Sequence, residues 1–429
     1  MPLILVASVI CLLFLGVPVA VALAAASIFF FAFIGQIPLE GVVHRMVGGL
    51  DMFPLLAVPL FMLAGEIMNV GGITDRIFRL ANNLVGHIRG GLGMVNVLDS
   101  MIFAGMSGSG LADAVGFGAV EIQAMKRRGY TSGFSAAITA SSATIGPIIP
   151  PSIPFVVYGG ITGVSIGRLF IGGAIPGVLM GLCLMIGVYW IAVRRNYPSE
   201  PRPKFRELCK SVYDAGLALF LPLIIVGGIL AGVFTPTEAA VVAVLYALVV
   251  AVFVYKELAL SEVPRLLSRV GAKTASVLII VAAASPFGWL MAWQQIPQTL
   301  LMLFTSLTDS PWMFLLILNV FLLILGCFME GMSLLIILSP VLLPVVRAYN
   351  IDLVHFGVLF VLNIMIGTVT PPFGMHMYVT CALAKCSIAE FVRENTVFLI
   401  GLLVALVLVT YVPAITLALP NALLGLPLR

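Results

Sequence analysis

Two polar turns interrupt otherwise hydrophobic stretches of this chain: Ser107-Gly108-Ser109-Gly110, with Asp113 about one helical turn beyond it, and Glu330-Gly331-Met332-Ser333. Each is followed by an apolar segment broken by prolines, first Thr144-Ile145-Gly146-Pro147-Ile148-Ile149-Pro150-Pro151, then Gly367-Thr368-Val369-Thr370-Pro371-Pro372. Interrupted helices leave carbonyls unpaired at one end and N–H groups at the other. The N-terminal ends favour a carboxylate, whereas carbonyls, hydroxyls and C-terminal ends favour a small hard cation. Ser107, Ser109, Asp113 and Gly146 can gather such oxygens in the first half, and Gly326, Gly367 and Thr370 in the second. Sodium is the expected cation, because neither set clusters carboxylates as calcium requires. An anionic substrate is expected against Ser107, Gly108, Ser142 and Thr144, facing Glu330, Gly331, Thr368 and His376.

Each motif alone has a plainer explanation. Serines and glycines also pack helices together in membranes, and prolines kink spanning helices. Irregular backbone at membrane depth persists only where it is buried or lines a cavity, however. Finding both motifs twice points to a duplicated transporter with its site between the repeats.

The elements that hold these turns must be membrane helices. The chain is 61% hydrophobic and 9% charged over 429 residues, which excludes an ordinary soluble domain. The stretch Met1 to Val21 lacks a basic leader and a small-residue cleavage site, so it is expected to be a mature span. The net charge of +4 does not point to nucleic acid, since the basic residues sit in loops. The six cysteines share no metal-ligand spacing and are expected to be buried small apolar residues.

Apolar segments place an N-terminal unit at 1–52, in which Gly16-Val17-Pro18 leaves open one span or two. A first repeat follows at 53–193, with a hairpin at 94–125 and a broken helix at 133–163. A basic loop, a pair of spans and an amphipathic arm (Glu257 to Lys273) occupy 194–273. A second repeat at 274–418 has its hairpin at 312–346 and broken helix at 353–381, before a tail at 419–429. The turns divide 94–125 and 312–346 into arms shorter than the roughly 20 residues a crossing needs, so both read as re-entrant. The stretch 73–86 reads as an interfacial helix with Ile73, Ile77, Leu80 and Leu84 on its apolar face; its counterpart lies near 297–308.

Loop charges test this topology. With each hairpin returning to its own side, eighteen Lys and Arg fall on one side and four (Arg45, Arg168, Arg347, Arg429) on the other. The crowded side is therefore cytoplasmic. The first hairpin enters from it and the second from the opposite face, giving an all-α polytopic protein of inverted repeats.

Charges within the membrane are costly unless partnered. Asp113 and Glu330, at the tips, are expected to be functional. Asp99 and Glu121 are expected nearer the cytoplasmic face, solvated or paired with Lys126. Glu66 reads as interfacial, Glu238 as a helix-start carboxylate after Thr235, and His376 as a core group or cavity liner. Trp293, Gln294 and Gln295 are expected at the membrane interface.

These residues resemble the large membrane subunit of the tripartite ATP-independent periplasmic (TRAP) transporters, the dicarboxylate-type large permeases. The resemblance runs the full length. It rests on Leu63-Ala64-Gly65-Glu66-Ile67-Met68, the Ser-Gly-Ser tip with Ala112-Asp113, and Pro147-Ile148-Ile149-Pro150-Pro151-Ser152-Ile153-Pro154. Phe234-Thr235-Pro236-Thr237-Glu238-Ala239 and Thr370-Pro371-Pro372 complete it. It implies a sodium-driven, elevator-type importer of an organic acid in the bacterial inner membrane, surrounded by lipid. It also implies a small four-helix membrane subunit, expected as a separate chain, and a periplasmic substrate-binding protein. One sodium site is implied at Ser107, Ser109 and Asp113, and another at Gly326, Gly367 and Thr370. Sialic-acid members are expected to carry an arginine near Trp293 and an aspartate near Glu330; this chain has neither, which argues against sialic acid.

Three rivals remain. Gly105-Met106-Ser107-Gly108 matches an intramembrane serine protease string, with His355 or His376 as base. Dead-end hairpins suit a passive channel poorly. A stand-alone sodium-coupled anion carrier shares the inverted hairpins and competes most closely.

Overall fold

The computed structural model describes residues 2–34 and 38–425, and these contain helices and connections but no strands. Two short helices open the chain, α1 (Pro2–Phe14) and α2 (Val19–Phe29), because Gly16 turns left-handed and Pro18 follows it. A third, α3 (Glu40–Leu50), fills a stretch without an apolar run. Then α4 (Ala57–Val70) leads to α5 (Ile73–Val85), whose buried face carries Ile73, Ile77 and Leu80. Leu84, expected on that face, is 41% exposed.

The first hairpin is α6 (Gly91–Ser107) and α7 (Gly110–Arg127); the broken helix is α8 (Ser132–Ala143) and α9 (Ile153–Thr162). Helix α10 (Ile166–Arg195) closes the repeat. Side-chain oxygens of Ser109, Thr131, Ser152 and Ser165 start α7, α8, α9 and α10 by accepting from backbone N–H groups. The central pair is α11 (Phe205–Leu230) and α12 (Pro236–Val249), the latter begun by a reciprocal Thr235–Glu238 box as expected. Arg206 and Lys210, expected in the loop, already belong to α11.

The expected amphipathic arm and the span after it form one helix, α13 (Val263–Trp293). Hydrogen bonding along a helix continues whether lipid or water surrounds it, so a change in polarity does not mark an end. The second repeat then runs through α14 (Ile296–Leu307), α15 (Pro311–Gly326), α16 (Gly331–Ala348), α17 (Leu353–Gly367), α18 (Met375–Ala384) and α19 (Ile388–Tyr411). Most of the expected tail is helical in α20 (Ala414–Leu424); Arg429 lies outside the described residues.

Both hairpins double back. In the first, the tilted rings of Phe103 and Phe117 pack with centroids 4.5 Å apart and the Asn96 amide donates to Glu121 across the arms. In the second, the ring of Tyr349, just past α16, stacks on Phe314 near the start of α15 at 4.4 Å. Helix α16 is long and apolar enough to cross a bilayer. Its far end nevertheless returns to where α15 began, which decides for a re-entrant pair.

The repeats run in opposite senses. At one end, Lys126 Nζ at the base of hairpin 1 donates to Ala384 O at the end of α18 (2.7 Å), and Arg195 pairs with Glu394. At the other, the hydroxyl of Tyr158 in α9 donates to Leu353 O at the start of α17 (3.1 Å). The broken helix α8–α9 therefore leaves the end where α17–α18 arrives. The first of these ends carries the basic cluster and is cytoplasmic.

Candidate functional site

Four helix interruptions converge. Each unwound segment binds the hairpin tip of its own repeat through one backbone bond: Ile153 N to Gly108 O (3.4 Å), and Phe373 N to Cys327 O (3.0 Å). Gly108 sits at φ +60° to end α6, a conformation that suits glycine. A Cβ there would fall 2.4 Å from Pro151 O. The tip also rests on α4, where a Cβ at Gly65 would approach Ser107 Cα to 2.9 Å. That contact gives the Leu63–Met68 motif a physical reason.

At the first tip, Ser107 is buried and its Oγ accepts from Ser109 N at 3.5 Å. Ser109 Oγ caps α7 through Ala112 N at 3.4 Å. Asp113 is 2% exposed, and neither carboxylate oxygen has a hydrogen-bond partner. Gly146 packs on this tip, its notional Cβ 3.2 Å from Gly110 N. Thr144 is buried and bonds back to Ser141 O at 2.6 Å. Ser142 lies deeper, donating to Asn96 Oδ1 at 2.8 Å.

At the second tip, Gly326 meets Gly367 and Gly331 meets the Met365 side chain. Thr370 Oγ1 donates to Ile366 O at 2.8 Å. Glu330 is exposed and caps α16, its two oxygens accepting from Met332 N and Ser333 N at 2.9 Å each. Aspartate is as good a cap, so the identity of this acid says little about substrate.

His376 joins the halves. It is buried, its Nδ1 pairs with Thr368 Oγ1 at 2.9 Å, and a Cβ at Gly110 would lie 2.7 Å from its Cε1. Residues of both repeats thus meet around Gly110, Gly146, Thr368 and His376. Asn395, absent from the sequence-based set, bridges them again: it accepts from Ser141 Oγ (2.8 Å) and donates to Val369 O (3.0 Å). Its neighbours Arg393, Glu394 and Thr396 make the stretch read as an ordinary polar helix start, so the sequence carries no signal for it.

Several expectations change. Asp99 and Glu121 are buried rather than solvated, and Lys126 bonds Ala384 O instead of pairing with them. Glu66 is held in ion pairs by Arg269 (3.1 Å) and Lys273 (2.8 Å) of α13. Trp293 ends α13, half exposed and stacked on Trp289. Of the six cysteines only Cys381 is buried; Cys11 and Cys209 are exposed. His355 Nδ1 bonds Thr416 at 2.8 Å, His376 Nδ1 bonds Thr368, and the Ser107 hydroxyl is bonded by Ser109 N rather than by either ring, so no nucleophile–base pair is formed.

Comparison with known proteins agrees with this architecture. The family described as tripartite ATP-independent periplasmic transporter, DctM component, matches residues 6–415. The chain is 44% identical to the Vibrio cholerae sialic acid TRAP transporter large permease SiaM, covering 96% of this chain and 97% of that one. It is 44% identical to the Pseudomonas aeruginosa C4-dicarboxylate large permease DctM, covering 86% and 87%. The Escherichia coli 2,3-diketo-L-gulonate large permease YiaN is 39% identical, covering 93% and 94%. Among solved structures, the Alcanivorax borkumensis YdaH transporter shares the fold with a TM-score of 0.66 at 14% identity, covering 98% of this chain and 99% of that one. These permeases are transporters rather than enzymes, and the multi-pass architecture is that of a bacterial inner-membrane protein. The chain belongs to the DctM, or large permease, family of the tripartite ATP-independent periplasmic transporters.

Proposed function

We propose that this permease imports an organic acid driven by sodium, receiving it from a periplasmic binding protein and working beside a small four-helix membrane subunit. The observation that carries the reading is Asp113: a buried carboxylate that makes no hydrogen bond or ion pair, one turn inside a tip that also gathers Ser107, Ser109 and Gly146. Such a group calls for a cation. The hydroxyls and carbonyls about it suit sodium, and no acid-rich cage for calcium is present among the described residues. A second sodium site is assigned to Gly326, Gly367 and Thr370.

The substrate carboxylate belongs between the repeats, near Ser107, Gly108, Thr144, Thr368 and His376, where the N–H groups of Gly110 and Leu111 at the start of α7 and of Met375 at the start of α18 make no hydrogen bond. Glu330 and Gly331 mark the rim, and Ser142 supports the wall through Asn96. Elevator movement of the hairpin-bearing unit would expose this site alternately. Relatives named for sialic acid, C4-dicarboxylates and diketogulonate leave the acid open among sugar acids, dicarboxylates and keto acids.

The test is uptake in proteoliposomes holding both membrane subunits, with and without sodium and the cognate binding protein. Uptake should require both. Full-rate uptake by the membrane subunits alone would establish the stand-alone carrier instead.

A further inference from the structure

Deeper in hairpin 1 lies a second group of acids that the tip does not use. Asp99 of α6 is 0% exposed and Glu121 of α7 is 3% exposed. Asn96, one turn before Asp99 on the same face of α6, donates to Glu121, which sets the two acids on the facing sides of the hairpin arms. Neither oxygen of Asp99 has a donor, nor does Oε1 of Glu121. Glu121 Oε2 alone is served, by the Asn96 amide, which also donates to Thr139 Oγ1 (2.9 Å) and accepts from Ser142 Oγ (2.8 Å).

Two facing carboxylates with no donor between them repel strongly in a site closed to water. One shared proton removes a charge and supplies the missing donor. No basic group does so. Lys126 is engaged with Ala384 O, and α8 has no titratable side chain. On the other packed helices, Glu66 of α4, Arg76 of α5 and Arg195 of α10 are in ion pairs, and Arg79 of α5 bonds the Asp75 carbonyl. The ionisable residues of α11 (Arg206, Glu207, Lys210, Asp214) cluster in its first turns, and His376 of α18 is bonded to Thr368. Asp113, further along α7, adds only negative charge.

The fold itself does not require these acids. Neither α15 nor α16 contains an Asp or Glu, and Asn319 clamps α15 to α17 by accepting from Asn363 at 2.9 Å. An asparagine clamp suffices to hold a re-entrant arm, so the pair in hairpin 1 has some other use.

We propose that Asp99 and Glu121 bind one proton between them, forming a proton site inside hairpin 1 apart from the tip, and that transport requires it to be filled. The second clause rests on the sodium-driven reading above; proton binding does not. Only an O–H bond forms or breaks, with the proton passing to or from water at the cytoplasmic end. Deprotonation leaves two buried charges, which stalls the hairpin.

The full transporter complex tests this in two ways. In pH-difference infrared spectra, wild type should show a protonated-carboxyl band that titrates away at alkaline pH, and Asp99→Asn should lack it. In proteoliposomes with a fixed sodium gradient, wild-type uptake should fall by up to about tenfold per pH unit on its alkaline limb. Glu121→Gln imitates the protonated pair, so its uptake should persist with that limb flattened; Asp99→Asn is the second variant. The proposal is overturned if no band titrates, or if both variants keep the wild-type limb. It is overturned too if either variant shifts the sodium dependence tenfold, which would make the pair a cation ligand. Loss of sodium dependence in wild type, with the band still present, would sink the sodium reading alone.

Discussion

Gly326 and Gly367 meet backbone against backbone: a Cβ built on Gly367 would lie 2.6 Å from the Cα of Gly326. Hairpin 2 and α17 therefore lock by an approach that only glycine permits. Gly367→Ala should push the two apart, costing about 1–3 kcal/mol as overpacking does. Uptake should drop by at least about tenfold, more than for Gly326→Ala, whose Cβ has 3.1 Å of room. Proteoliposome rates and melting of the purified complex check this; equal rates for Gly367→Ala and wild type would mean the contact does not position the site.

Asp113→Asn keeps the shape of the side chain and removes its charge. Half-maximal uptake should then need at least about tenfold more sodium, a loss of about 1.4 kcal/mol in ion binding. Melting without sodium should not fall, because the lone carboxylate costs stability when no cation is bound. An unchanged sodium dependence would remove Asp113 from the ion site.

Asn395→Ala strips a bond from Ser141 Oγ and another from Val369 O, groups of opposite repeats. The expected loss is about 1–3 kcal/mol, since a buried carbonyl is left without its donor. Thermal unfolding of the complex measures it. A loss too small to detect would show that water replaces the amide.

Exposed Cys209 near the start of α11 should react with a membrane-impermeant maleimide only when the cytoplasmic face is open to it. Labelling of a Cys209-only variant in intact cells and in inverted vesicles distinguishes the faces. Labelling from outside would invert the whole topology.

The sequence displays what is local. The Ser-Gly tips and Pro-Pro breaks interrupt apolar runs, so hairpins and broken helices are visible without partners, and Lys and Arg in the loops orient them. Long-range pairings stay hidden. Asn395, Asn96 and Asn319 each find their partners only when distant helices pack, and nothing in their neighbours along the chain marks them out. The burial of Asp99 and Glu121 depends on the register between α6 and α7, which no spacing reveals. The continuity of α13 was masked because its polar start resembles a loop-side arm, although Lys273 and Arg269 on it grip Glu66.

The clasps at both ends, Lys126 to Ala384 and Tyr158 to Leu353, bind each half of the protein to the other without help from the connecting peptide. Covalent continuity through 196–204 should then be dispensable. Co-expressed fragments severed in that stretch ought to reassemble and co-purify, as two strangers with matching handshakes would.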